Sequence, residues 1–411
     1  MLALLLTLAC CGPAADDSWP QFEGPRRDNK STDTGLAKSW PEGGPKLLWR
    51  AEGIGEGFSS VVIGQGRIYT AGNLGDATVI TALGMDGQRV WQAPNGPAYT
   101  RQVPGSRGTP TLDGPRLYHL NGDGDLICLD SQSGRAAWSL SLIKQFDGRR
   151  PIWGCAESVL VDGDRLIACP GGEKIAMVAL DKHTGATVWQ CVGAGDPPSY
   201  ASPILVDYGG LRQVVTMTAK SAIGVAAQTG KFLWRYERET PYDVNASSPV
   251  YHDGHVAIFT TWGRGTTLLR LNVSGQQCGV EKVWHTPTMD IEHGGVVLAG
   301  GYVYALADGN HRKRQWSCLE WKTGKLMYQE PGFRGSCATL THADGMLFLV
   351  GDRGEVSLQR VNPRQFEVAG RFTLPKGVKG PVWARPVVCG GRLYLRHGEF
   401  LYAYGVRSTE Y

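Results

Sequence analysis

A short phrase recurs along the whole chain: an apolar pair, an aspartate, a Thr/Ser-Gly step, three residues, then a tryptophan. It stands as Leu129-Asp-Ser-Gln-Ser-Gly134-Arg-Ala-Ala-Trp138 and again as Leu180-Asp-Lys-His-Thr-Gly185-Ala-Thr-Val-Trp189. Degraded copies are Met85-Asp-Gly87-Gln-Arg-Val-Trp91, Ala227-Gln-Thr-Gly230-Lys-Phe-Leu-Trp234 and Trp321-Lys-Thr-Gly324-Lys-Leu-Met-Tyr328. The anchors Trp49, Trp91, Trp138, Trp189, Trp234, Trp284, Tyr328 and Phe372 follow one another at 42, 47, 51, 45, 50, 44 and 44 residues. That interval is the length of one four-stranded propeller blade. Asp and Gly suit a hairpin turn between the third and fourth strands: Gly accepts a positive φ and Asp bonds its own backbone. The tryptophan then opens the outer strand, where a large ring can wedge against the next blade.

A second phrase fills the inner half of each repeat, as in Pro110-Thr-Leu-Asp-Gly-Pro-Arg-Leu-Tyr118, Val161-Asp-Gly-Asp-Arg-Leu-Ile167 and Pro386-Val-Val-Cys-Gly-Gly-Arg-Leu-Tyr394. It reads as innermost strand, tight turn and second strand. The ends of the chain resolve the count. The last repeat has a third strand, Phe400-Leu-Tyr-Ala-Tyr404, but no outer strand after it, whereas Lys46-Leu-Leu-Trp-Arg50 is an outer strand with no blade before it. The two complete each other, which abolishes the sheet edges an open array would expose. The expectation is an all-β protein, an eight-bladed propeller of four-stranded blades closed by its N-terminal strand. It divides into a signal (1–15), an arm lying over the closure (16–45), the propeller (46–406) and a short tail (407–411).

Composition agrees: Gly 56 and Pro 23 of 411 residues supply tight turns, and 42% hydrophobic residues supply a core. The net charge of +4 is small, and the densest basic run is His311-Arg312-Lys313-Arg314, a solvated hairpin tip, so nucleic acid is not expected as a partner. The opening MLALLLTLA is too short to span a bilayer and has the pattern of an export signal. Thr7-Leu8-Ala9-Cys10 resembles a lipobox and makes Cys10 a lipidation candidate. A periplasmic or cell-envelope monomer held on a membrane by one lipid anchor is the resulting expectation. The eight later cysteines contain no Cys-x-x-Cys pair, so no zinc or thioredoxin-like site is indicated. They fall in strand-like runs, as small hydrophobes do.

No Ser/His/Asp or His-x-x-x-His constellation stands out. Asn121-Gly-Asp-Gly-Asp125 mimics the start of a calcium loop, but Gln132 stands where the closing Glu would be, so it reads as a turn. Aligning the inner-strand phrases gives a column just ahead of each innermost strand: Phe58, Arg107, Ala156, Tyr200, Ala246, His293, Arg334 and Trp383. Trp153, Glu157, Asn245, Glu292 and Arg385 stand beside it. Equivalent positions in a propeller form a ring about the axis, and loops on a rigid scaffold are where binding concentrates. Aromatic and Arg side chains are also those favoured at interaction hot spots. Phe58, Arg107, Trp153, Glu157, Tyr200, Asn245, His293, Arg334, Trp383 and Arg385 are therefore the candidate binding ring, with no catalytic or metal-ligating residue assigned.

The repeats over 46–406 resemble those of pyrroloquinoline-quinone (PQQ) propellers, and Trp19-Pro-Gln-Phe-Glu-Gly-Pro-Arg-Arg-Asp28 with Trp40-Pro-Glu-Gly-Gly-Pro45 resembles exported members of environmental bacteria. The family has an enzymatic branch, the quinoprotein alcohol dehydrogenases, and a binding branch similar to the lipoprotein of the outer-membrane β-barrel assembly machine. The enzymatic branch implies PQQ over Ca²⁺, a vicinal disulfide, covering insertions, and Glu, Asn and Asp ligands. Here the only adjacent cysteines are Cys10 and Cys11, the insertions are missing, and Glu157 and Asn245 are the nearest ligand candidates, with no partner Asp. The reading is a non-catalytic scaffold presenting its channel mouth to a protein, peptide or saccharide, without a cofactor. A PQQ- and Ca²⁺-dependent alcohol or sugar dehydrogenase is the alternative, and an outer-membrane assembly subunit a third.

Overall fold

The computed structural model describes residues 18–307, 314–333 and 337–410. Within them the strands form eight four-stranded antiparallel sheets, each a meander from axis to rim, arranged as a ring. The first seven blades span 62–97, 111–141, 160–192, 204–237, 250–286, 296–331 and 338–373. The eighth takes three strands from 387–405 and its outer strand, Leu47–Ala51, from the other end of the chain, paired antiparallel with Phe400–Gly405. The closure expected from the two incomplete ends is thus observed. Each of the eight apolar clusters lies between two neighbouring blades; Val62, Tyr69 and Ile80 of blade 1, for example, meet Leu112, Leu117 and Leu129 of blade 2.

The recurrent Gly and Trp meet across those interfaces. Trp138 lies against Gly185 of the next blade and donates its indole N–H to Lys182 O at 3.1 Å; Trp189 repeats this with Gly230 and Ala227 O at 3.1 Å. Trp49, Trp91 and Trp284 do the same with Gly87, Gly134 and Gly324. Trp234 departs from the pattern. Blade 5 turns at Gly275, which no side chain approaches, and the indole bonds instead to Gln213 in its own blade at 2.7 Å.

The arm crosses the face opposite the mouth and touches far more than the closure. Trp19 bridges Ile63 of blade 1, and Pro20 O accepts from Leu112 of blade 2 at 2.7 Å. The Arg27 guanidinium donates to Ser158 O, Val159 O and Pro203 O, which lead into blades 3 and 4. Asn29 Nδ2 donates to Val296 O of blade 6, and on blade 7 the His342 N–H donates to Asn29 O while Ser31 N–H donates to His342 O. Asp33 accepts from the Gly390 and Gly391 N–H groups of blade 8, and Trp40 packs on Phe348 and Phe372. None of the eight cysteines among these residues is in a disulfide, and six of them are buried. Asn121 Oδ1 accepts from the backbone of Asp123 and Asp125, the turn expected there. No helix among the described residues is long and apolar enough to cross a membrane. Cys10 and the run His311–Lys313 lie outside the described residues.

Candidate functional site: the axial mouth

Each blade begins with an irregular lead-in that runs to the axis before the innermost strand starts. Seven of these lead-ins place their column residue in the wall of one cavity of about 330 Å³: Phe58, Arg107, Ala156, Tyr200, Ala246, His293 and Trp383. Arg334, the eighth, lies outside the described residues. Trp153, Glu292 and Arg385 join the wall. Glu157 and Asn245 do not line it. Glu157 is buried and accepts from Cys169 N–H at 3.0 Å, while burial pushes its carboxyl up to about 7 against the pull of that bond and of Arg27. Asn245 Nδ2 donates to Thr218 O, Ala219 O and Arg238 O, tying together the loops on either side.

The wall is an aromatic arc in two groups. Trp383 packs between Phe58 and His293, ring centres 4.8 Å away in each case. Trp153 contacts Tyr200 at 6.0 Å and Tyr242 at 6.4 Å, and Tyr242 reaches Trp262 at 5.6 Å. The cations are engaged within the protein. Arg107 lies over Phe58 and Tyr99 and donates to the carbonyls of Gln102, Val103 and Gly105, so it braces its own loop. Arg385 pairs with Glu23 at 2.8 Å, both side chains buried. Burial raises the Glu23 carboxyl and lowers the Arg385 guanidinium, each opposed by the other's charge. Burial also pushes His293 below the usual imidazole range, although Glu292 pulls it back; its Nε2 lies 3.2 Å from Cys337 Sγ. Cys337 is buried behind His293 and does not reach the cavity.

Phe22, Val103, Tyr242 and Trp262 also line the mouth and carry no repeat signal. Val103, Tyr242 and Trp262 have φ of 51°, 61° and 62°, a left-handed conformation that costs a non-glycine residue on the order of 1–3 kcal/mol. Such strain clusters at functional sites. What marked them in the sequence was aromatic or apolar residues in stretches that interrupt the repeat.

The enzymatic branch of this fold would place PQQ and a hard cation here. The residues present do not fit them. A hard divalent ion needs six to eight oxygens, but Glu292 is the one carboxylate in the wall, among the described residues. No three His, Cys, Asp or Glu side chains converge on a point in the described residues. The carboxylates of a quinone would meet arginines already bound to Glu23 and to loop carbonyls.

Fold and site together define an eight-bladed propeller, closed by its N-terminal strand, with an aromatic mouth on its axis. The family model described as outer membrane protein assembly factor BamB matches residues 75–308, more than half of the chain, and the chain belongs to that family of PQQ-type propellers. No curated protein matches it in sequence. Among solved structures, BamB from Moraxella catarrhalis aligns with a TM-score of 0.61 at 15% identity, covering 88% of this chain and 98% of that one. A europium-containing methanol dehydrogenase gives 0.68 at 11%, covering 95% and 98%. The quinohemoprotein alcohol dehydrogenase from Comamonas testosteroni gives 0.63 at 12%, covering 95% and 81%. At these identities the likeness is one of fold, which hosts both binding and catalysis.

Proposed function

We propose that this protein is a non-catalytic binding propeller of the cell envelope whose axial mouth receives a segment of a protein partner. The observation that carries this is the convergence of seven lead-in residues, from seven different blades, on one aromatic cavity whose two arginines are engaged with Glu23 and with loop carbonyls. Such a wall offers stacking and apolar burial, with few groups aimed at moving a proton or an electron. A peptide is favoured over a saccharide by the rim. Val103, Ile152 and Tyr242 stand 37%, 52% and 63% exposed on the loops around the mouth, and aliphatic side chains left in water there are matched by an apolar partner surface. Family membership supports an envelope location and a protein partner. Lipid attachment at Cys10 is part of the same proposal.

A displayed random-peptide selection tests it. Selected peptides should share an aromatic or branched apolar residue and bind about tenfold or more weakly to Trp262→Ala/Trp383→Ala than to wild type, as loss of hot-spot rings requires. Peptides that bind both equally would overturn the reading. So would stoichiometric uptake of PQQ with Ca²⁺ accompanied by dye reduction on adding an alcohol, which would establish the dehydrogenase instead.

A further inference from the structure

The sequence phrase Trp19–Asp28 is not part of any blade, yet it supplies a side chain to the wall of the mouth. Phe22 is the arm's one contribution to the cavity wall among the described residues. Its ring lies under the Arg385 guanidinium, 4.8 Å from centre to centre, and Glu23 fixes that guanidinium from the other side at 2.8 Å. Behind it Arg27 spans to the lead-ins of blades 3 and 4, and Gly24 lies so close to the Trp19 ring that a Cβ there would stand 3.0 Å from it. Glu23, Arg27 and Asn29 all have left-handed φ, at 65°, 52° and 56°. Three strained non-glycine residues so close together persist only where their surroundings over-determine them, so the backbone that carries Phe22 is fixed by its contacts with the blades. Its consequence is geometric. An unplugged propeller channel would let an extended chain thread through, whereas this one ends at an aromatic ring.

We propose that Phe22 is the specificity-determining floor of the mouth. The arm makes the channel a blind pocket, and a ligand enters end-on, as a single aromatic or branched apolar side chain at a loop apex or chain end that stops on the Phe22 ring. The inference rests on the mouth being the binding site, and its test separates the two.

The probe is 1-anilinonaphthalene-8-sulfonate, whose fluorescence rises in apolar pockets, titrated into the full chain and into Phe22→Ala, Phe22→Trp, Phe22→Leu and Trp262→Ala, with each variant's melting temperature recorded. A rigid floor predicts binding about threefold or more tighter for F22A, at least about tenfold weaker for F22W, and within about twofold of wild type for F22L, following the apolar area that the probe can bury at the bottom of the pocket. Should F22W fail to fold, F22A alone decides. If F22A binds like wild type while W262A weakens binding, the floor is overturned and the mouth stands as a site. If neither variant moves the binding, or the probe does not bind wild type, the mouth itself is not an accessible pocket and both readings fall.

Discussion

Glu157 is a buried carboxylate that accepts from the Cys169 N–H. Its position beside the column suggests a group at the mouth, but the side chain lies inside the protein, with Arg27 near by. Sequence spacing alone carries no information about that inward placement. Burial raises its carboxyl from 4.5 to about 7. Between those values the folded state holds a proton that the unfolded chain releases, so stability is fully present below about pH 4.5 and declines as pH rises through about 7. The swing is about 3 kcal/mol, with no further loss above neutrality. Glu157→Gln keeps an acceptor for the Cys169 N–H and removes the titration. Chemical denaturation at intervals from pH 5 to pH 8 should show wild type weakening by up to about 3 kcal/mol more than E157Q. Parallel profiles would mean that Glu157 titrates normally.

The strand and turn pattern of a blade was legible because its signals are local. Asp and Gly mark the turn, and the ring comes a fixed few residues later. Two features of the same elements were not. The partner of the turn glycine at Gly87, Gly134, Gly185, Gly230 and Gly324 is a tryptophan from the preceding blade, too far away in sequence for a turn motif to reveal. Seven of the eight outer strands also carry a bulge immediately before the anchor position: Ala82 pairs with Trp91 but Leu83 with Arg89, and Ala179 with Trp189 but Leu180 with Thr187; in blade 7 the skipped residue is Ala369, so Gly370 rather than Phe372 stands at the equivalent place. The skipped Val90 and Val188 are half exposed, so a buried-strand alternation read through them slips by one residue. The double duty of the glycine can be measured. Gly230 has a φ of 72° and a Cβ there would come within 2.6 Å of the Trp189 ring; Gly275 has a φ of 57° with nothing within 4 Å. Gly275→Ala should cost about 1 kcal/mol, the backbone term alone. Gly230→Ala should cost roughly 2–4 kcal/mol, because the indole must also leave its seat and its bond to Ala227 O. Equal losses would show that the interlock adds nothing beyond the turn.

At the scale of the molecule, the ring closes by more than the strand exchange that the two incomplete ends disclosed. The column of lead-in residues was legible for the same reason as the blades, since a repeated position becomes a ring about the axis. The arm and the mouth loops were not, because each of their contacts is made once and with a distant residue, as Arg27 does with Ser158 and Pro203. Arg396 is of that kind. It stands on the second strand of blade 8, 2% exposed, and reaches across the seam to Gly55 O at 2.7 Å, Ser59 O at 3.1 Å, Thr70 Oγ1 at 2.7 Å and Ala71 O in blade 1. Burial pushes its guanidinium down to about 9. A fork of N–H donors satisfies several carbonyls that no neutral side chain could serve together. Arg396→Met would fill much of the space but leave those carbonyls buried without donors, at a cost of about 3 kcal/mol or more. Arg396→Lys keeps the charge without the fork, so it should recover only part of the loss. Arg270→Met, which breaks an exposed pair with Glu281 on one blade, should change stability by less than about 0.5 kcal/mol. Denaturant midpoints for the three variants decide the matter. If R396M is no weaker than R270M, the exchanged strand and the arm hold the seam without it; if R396M alone collapses, the blade 8–blade 1 joint is where this propeller opens.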